Sequence, residues 1–285
     1  MHRGVVYMLL AGLLFSIVNA LVKFLHYIPV SQIVFFRSLI TLIVAFIYLW
    51  LKKMKDPQFK ILGNNKKMLL ARGLFGVTAL YLLFLSIKHL PLATATTLQY
   101  TSPLFTILIA SGWHKEKASP VIWLLLLMAF TGIMLLKGFD NRVSTFYLIT
   151  GLISAFISGL AYNVIKGLGK EDPVTIVMYF PLVGIPVMIV PAIIEWQAPG
   201  LTGWLLLLSI GILTFVAQYY MTLALLSDKA WVIVPFKFAG VIYAIIIGIL
   251  FFKEYLPFFS LLGIALIVLS LILINYYRNN FVEKN

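Results

Sequence analysis

Two cations stand inside long apolar runs of this chain. Arg37 lies in VSQIVFFRSLITLIVAFIYLW (30–50) and Lys237 in VIVPFKFAGVIYAIIIGIL (232–250). Either charge costs about 2.5–3.5 kcal/mol at the centre of a bilayer, even on the lenient insertion scale. A guanidinium grips a carboxylate or phosphate through two parallel hydrogen bonds, whereas an ammonium acts as a point charge. Both can instead snorkel along the helix to the headgroups. Arg37 lies seven residues past Val30 and Lys237 six past Trp231, which is about 10 Å and about 9 Å along a helix. Full escape from those depths is long, so both cations are expected to face a hydrated cavity and to hold an anionic group.

Neutral polar side chains share these runs: Asn19, Tyr81, Gln99, Tyr100, Tyr162, Asn163, Tyr179, Gln218 and Tyr219. Each can serve an interhelical hydrogen bond or a solute. The expected substrate-binding set is Arg37, Gln99, Lys237, Asn19, Tyr81, Tyr162 and Gln218, with Gln99 near Arg37. Gly240, Ala244 and Gly248 recur at helical spacing on the side of Lys237, and that small-residue stripe is expected to border the cavity.

Other chemistries lack their groups. Asp56, Glu116, Asp140, Glu171, Asp172, Glu195, Asp228, Glu254 and Glu283 all fall in loops, at the ends of apolar runs or in the tail, and so do His2, His26, His89 and His114. A proton-coupled exporter of cations wants a buried carboxylate. A hydrolase wants a metal cluster or an acid pair. There is no cysteine, hence no disulfide or thiolate site. No catalytic residue, cofactor or metal is expected.

The elements that position these residues follow from composition. Of 285 residues, 62% are hydrophobic and 11% charged, against about 45–50% and about 25% in a soluble domain. The net charge of +13 reads as lysines flanking membrane spans, with no nucleic-acid partner. Ten runs are long enough to cross a bilayer of about 30 Å: 4–23, 30–51, 68–88, 92–112, 119–137, 146–166, 174–194, 202–226, 231–252 and 257–277. Basic residues gather in KKMKDPQFKILGNNKK (52–67) and on the same side at Arg3, Arg72, Lys115, Lys117, Lys166, Lys170, Lys229, Arg278 and Lys284. Lys23, Lys88, Lys137, Arg142 and Lys253 fall opposite. The bias puts both termini in the cytoplasm.

The chain also repeats. GLLFSIVNALVKFL (12–25) parallels AFISGLAYNVIKGL (155–168) at an offset of 143, matching Lys23 to Lys166 and Gly12, Ser16, Ala20 to Ala155, Gly159, Asn163. Glu116 matches Glu254, and Gln99 matches Lys237, at 138. Five spans per half insert with opposite orientation, an arrangement typical of secondary transporters. The halves are expected at 1–140 and 141–285.

RGLFGVTALYLLFLSIKHLPLATATTLQYTSPLFTILIA (72–110) resembles the third and fourth spans of the drug/metabolite transporter superfamily, EamA type. VPFKFAGVIYAIIIGILFFKEYLPFFSLLGIALIVLSLIL (234–273) resembles its ninth and tenth, and FFRSLI (35–40) its second. The resemblance covers nearly the whole chain. It implies an all-α integral membrane protein of ten transmembrane helices in two inverted five-helix repeats. Helices 1–4 and 6–9 would line a central cavity, with 5 and 10 bracing the outside. Lys237 departs from the aromatic or polar residue many members carry there. The expected function is secondary transport of a small organic metabolite, anionic or zwitterionic like an amino acid, across the plasma membrane by alternating access. Its partners would be that solute and the lipid bilayer. A membrane-embedded enzyme and a non-transporting scaffold remain open. Packed, dry polar groups would favour the scaffold.

Overall fold

The structure, a computed structural model, describes residues 3–102, 105, 109, 120–137, 144–227 and 239–277. They form α1 (Arg3–Phe24), α2 (Val30–Lys55), α3 (Lys66–His89), α4 (Leu92–Gln99), α5 (Pro120–Lys137), α6 (Thr145–Gly167), α7 (Pro173–Ile194), α8 (Leu201–Ser227), α9 (Ala239–Phe252) and α10 (Phe258–Tyr277). Each falls on one of the ten apolar runs. Among the described residues, six are long and apolar enough to cross a membrane, namely α1, α2, α3, α6, α7 and α8. The described part of α4 is 8 residues and of α9 is 14, too short for the about 20 residues a span needs.

These helices are apolar all round, as membrane spans are. Large side chains such as Ile47, Leu51, Val190, Ile193, Leu205 and Leu250 stand exposed on the outside, as a lipid-facing surface requires. Turn chemistry sets the ends. Asp172 accepts from the amides of Val174 and Thr175, with Pro173 at the first helical position, so α7 starts there. Asn65 accepts from Met68 N to cap α3. Inside α7, Pro181, Pro186 and Pro191 withdraw three amide donors without ending the helix.

The most extensive helix pairings map onto one another when each helix is exchanged for the one five places away. α1 packs on α8 as α6 packs on α3, α1 on α9 as α6 on α4, and α2 on α8 as α7 on α3. The pairs α2·α7, α4·α9 and α5·α10 map onto themselves. Small residues permit these contacts. Ser16 Oγ donates to Gly240 O at 3.2 Å between α1 and α9, while Gly151 of α6 sits against Leu98 of α4. A Cβ on Gly73 would come within 2.5 Å of Tyr179 O, and one on Gly132 within 2.8 Å of Gly263 O. Glycine therefore sets the α3·α7 and α5·α10 separations.

The small-residue stripe of α9 differs from expectation. Gly240 packs against the Tyr100 ring and Ser16, Ala244 is fully buried, and Gly248 makes room for the Glu254 carboxylate. The stripe is a helix-packing face and does not border the cavity, because α1 and α4 close on it. Lys237 and Pro235 lie outside the described residues.

Candidate functional site

A cavity of about 110 Å³ lies at the centre, between α1, α2, α3, α4, α6, α7 and α8. No described residue of α5, α9 or α10 lines it. Arg37 enters from α2 and is 2% exposed. Its Nε donates to Thr214 Oγ1 of α8 at 3.1 Å. Its guanidinium carbon lies 4.6 Å from the centre of the Phe180 ring and 5.9 Å from that of Phe84. Those contacts are cation–π in range. The terminal nitrogens of Arg37 meet no acceptor among the described residues, so its two-pronged edge stays open to a ligand.

A second arginine enters from α3. Arg72 lines the same cavity and is 5% exposed. The charge pattern placed it with the cytoplasmic loop cations, and the structure corrects that: Arg72 stands six residues inside α3, and its side chain runs inward along the helix. Its Nη1 lies 2.3 Å from where a Cβ on Gly76 would stand. The absent side chain at Gly76 is the slot that admits the guanidinium. Its Nε finds no hydrogen-bond partner among the described residues. Thr96 of α4 also lines the cavity, with its hydroxyl likewise unpartnered.

No carboxylate among the described residues lines this space. Glu254, Asp172, Glu171 and Glu195 are engaged at the two ends of the bundle, and Asp56 caps a loop turn. Two buried guanidinium groups thus share one cavity without an acidic side chain, and a cation held so is strongly favoured by an anionic ligand.

The expected site residues divide. Arg37, Gln99, Asn19, Tyr162 and Gln218 all line the cavity. Gln99 is also a cross-link: its Nε2 donates to Ser158 Oγ at 2.9 Å and its Oε1 accepts from Ser154 Oγ at 3.1 Å, tying α4 to α6. Tyr81 does not reach the cavity. It faces a separate recess of about 550 Å³ with Leu85, Lys88, His89, Glu195 and Trp196, on a flank of α3 turned aside from Leu80, Leu83 and Phe84, which line the cavity. Lys237 lies outside the described residues. Sequence reasoning missed Arg72, Thr96, Ser158 and Thr214. The pattern R-x-x-x-G at 72–76 was the available signal, since a glycine one turn beyond an intramembrane arginine leaves space for its head.

The recess side of the bundle is tied shut. Lys23 Nζ of α1 pairs with Glu254 Oε1, between α9 and α10, and donates to Leu90 O at 2.8 Å. The Glu254 carboxylate also accepts from Leu92 N, the first amide of α4, at 2.9 and 3.0 Å. At the far end Lys52 pairs with Asp172, and Glu171 accepts from Asn64 and Asn65 N at 2.9 and 2.8 Å.

The model of the EamA-like transporter family matches residues 2–137 and again 145–276. The pseudopaline exporter CntI of Pseudomonas aeruginosa is 31% identical over 283 residues, spanning 95% of both chains. A riboflavin transporter of Vibrio cholerae is 28% identical over 97% of this chain and 94% of its own. The human solute carrier family 35 member G1 is 27% identical over 94% of this chain and 77% of its own. A solved crystal structure superposes with a TM-score of 0.67 over 98% of both chains at 16% identity, a likeness of fold.

Proposed function

The chain belongs to the EamA-like transporter family, a multi-pass membrane transporter, and from that premise we propose that it moves a small organic anion or zwitterion by alternating access. Arg37 carries this reading. Its guanidinium is buried in the central cavity, steadied through Nε by Thr214 and over the Phe180 ring, and its outer edge meets no partner among the described residues. A group so fixed holds a carboxylate bidentately.

The cavity of about 110 Å³ is below the roughly 300–1,000 Å³ of a ligand site, so a solute of metabolite size requires one side to open. Ten spans in two inverted repeats supply a route. The five-place exchange in helix pairing and the double family match support that arrangement, with one half rocking against the other. The basic loop 52–67 supports a topology with both termini on the cytoplasmic side of the plasma membrane. The Lys23–Glu254 pair then closes the outer end. Polar groups aimed into a cavity favour transport over a scaffold, whose helices would need none.

The test is counterflow of labelled amino acids and small organic acids in proteoliposomes. Arg37→Lys keeps the charge and loses the two-pronged edge, and transport falls further than protein abundance does. Normal transport by Arg37→Ala would overturn the reading.

A further inference from the structure

Arg72 gives the cavity a second positive end, and we propose that the substrate carries two acid groups, one held by Arg37 and the other by Arg72 in the slot at Gly76. This rests on the anion-transport reading above and narrows its substrate to small dicarboxylates, acidic amino acids among them.

Three observations converge. First, Arg72 is 5% exposed, lines the cavity and leaves its Nε without a hydrogen-bond partner among the described residues. A buried guanidinium with an unfilled donor is destabilising unless a ligand completes it. Second, the slot is built for this head. A Cβ on Gly76 would stand 2.3 Å from Arg72 Nη1 and 2.7 Å from Phe180 Cδ2, closer than real side chains approach. Side chains on a helix ordinarily lean toward its N-terminus. Arg72 leans the other way, past Gly76 and into the cavity.

Third, the two guanidinium groups occupy related places. At the repeat offsets of 143 and 138, Arg37 corresponds to Phe180 and Gly76 to Thr214. In the first half Arg37 meets Thr214, and in the second Phe180 meets the Gly76 slot. Arg72, which has no basic counterpart in the other repeat, fills that slot. Both heads adjoin the Phe180 ring, Arg37 over the ring and the Gly76 slot against its edge. Two like charges held in one cavity repel, and a solute with one acid group for each offsets both. Thr96 lines the same cavity, and its hydroxyl, without a partner among the described residues, offers a further donor.

The experiment is calorimetric and thermal-shift binding on the full-length protein in detergent, with glutarate and glutamate against butyrate and glutamine. The wild type binds each two-acid probe about tenfold or more tightly than its one-acid partner, the factor expected for one additional charge-assisted contact. Arg72→Gln removes that preference, weakening two-acid binding about tenfold or more and one-acid binding by less. Gly76→Ala, which displaces the guanidinium while keeping it, does the same. The ligand-free Arg72→Gln protein melts higher than wild type, because a group retained for function at the expense of stability has been removed. Arg37→Gln weakens both probe classes. Equal binding of one-acid and two-acid probes by the wild type overturns the two-acid proposal and leaves the Arg37 reading intact. A parallel loss of both classes in Arg72→Gln does so too. Binding of neither class overturns both.

Discussion

Glu254→Gln tests whether the tie between α1, α4 and the α9–α10 junction is a gate. In the structure Glu254 receives the Lys23 ammonium and the Leu92 amide together. The Lys23 and Glu254 side chains are only 17% and 10% exposed, so the pair escapes the screening that reduces surface ion pairs to about 0–1 kcal/mol. Glutamine keeps the shape and one acceptor for Leu92 N but loses the charge. Exchanging charge-assisted hydrogen bonds of about 1.5–3 kcal/mol for neutral ones of about 0.5–1.5 weakens the tie by about 2 kcal/mol. If the tie exists only when this end is closed, the whole difference falls on the opening equilibrium and raises the open fraction about 30-fold.

The chain has no cysteine, so one introduced thiol reports cleanly. Thr96→Cys places it on the cavity wall, four residues beyond Leu92, where the parent residue is 2% exposed. A membrane-impermeant maleimide applied to the outer face labels this thiol about 30-fold faster in the Glu254→Gln background. Lys23→Met gives a similar gain, and the double variant adds little to either. A labelling rate within twofold of the parent, at equal abundance, refutes the gate: the pair would then persist in both conformations and serve stability alone.

Other outcomes follow from the same geometry. Asn64→Cys, in the exposed basic loop, is blocked by an impermeant reagent from the cytoplasmic face only, and labelling from outside would invert the topology. Gly73→Ala forces α3 off the Tyr179 carbonyl and destabilises by about 1–3 kcal/mol, as overpacking does; thermal melting in detergent reads the loss. Gln99→Ala removes both the Ser158 and Ser154 hydrogen bonds, so its melting temperature falls along with transport. A fall in transport alone would show Gln99 to be a solute contact and not a cross-link.

The family, the apolar runs on which the described helices fall and a buried cation in the second run were legible in the sequence. The reason is that the bilayer imposes its own grammar: length and hydropathy mark spans, and an unmasked charge inside one is expensive enough to signal function. Arg37 was found that way. So was the repeat, since the small-residue face of 12–20 recurs at 155–163, and α1 packs on α9 as α6 packs on α4. What the sequence could not decide was direction. A helix with no polar stripe gives no phase, so Tyr81 and Phe84, one turn apart on α3, looked equivalent until packing sent one to the recess and the other to the cavity. The stripe at Gly240 and Ala244 is ambiguous for the same reason: small residues admit either a helix or a void, and α1 and α4 fill it here. Arg72 sat close enough to the loop lysines to be counted with them. Only the fold, by leaving Gly76 bare beside Phe180 and bringing α3 against α7, turned that side chain inward and made it part of the site.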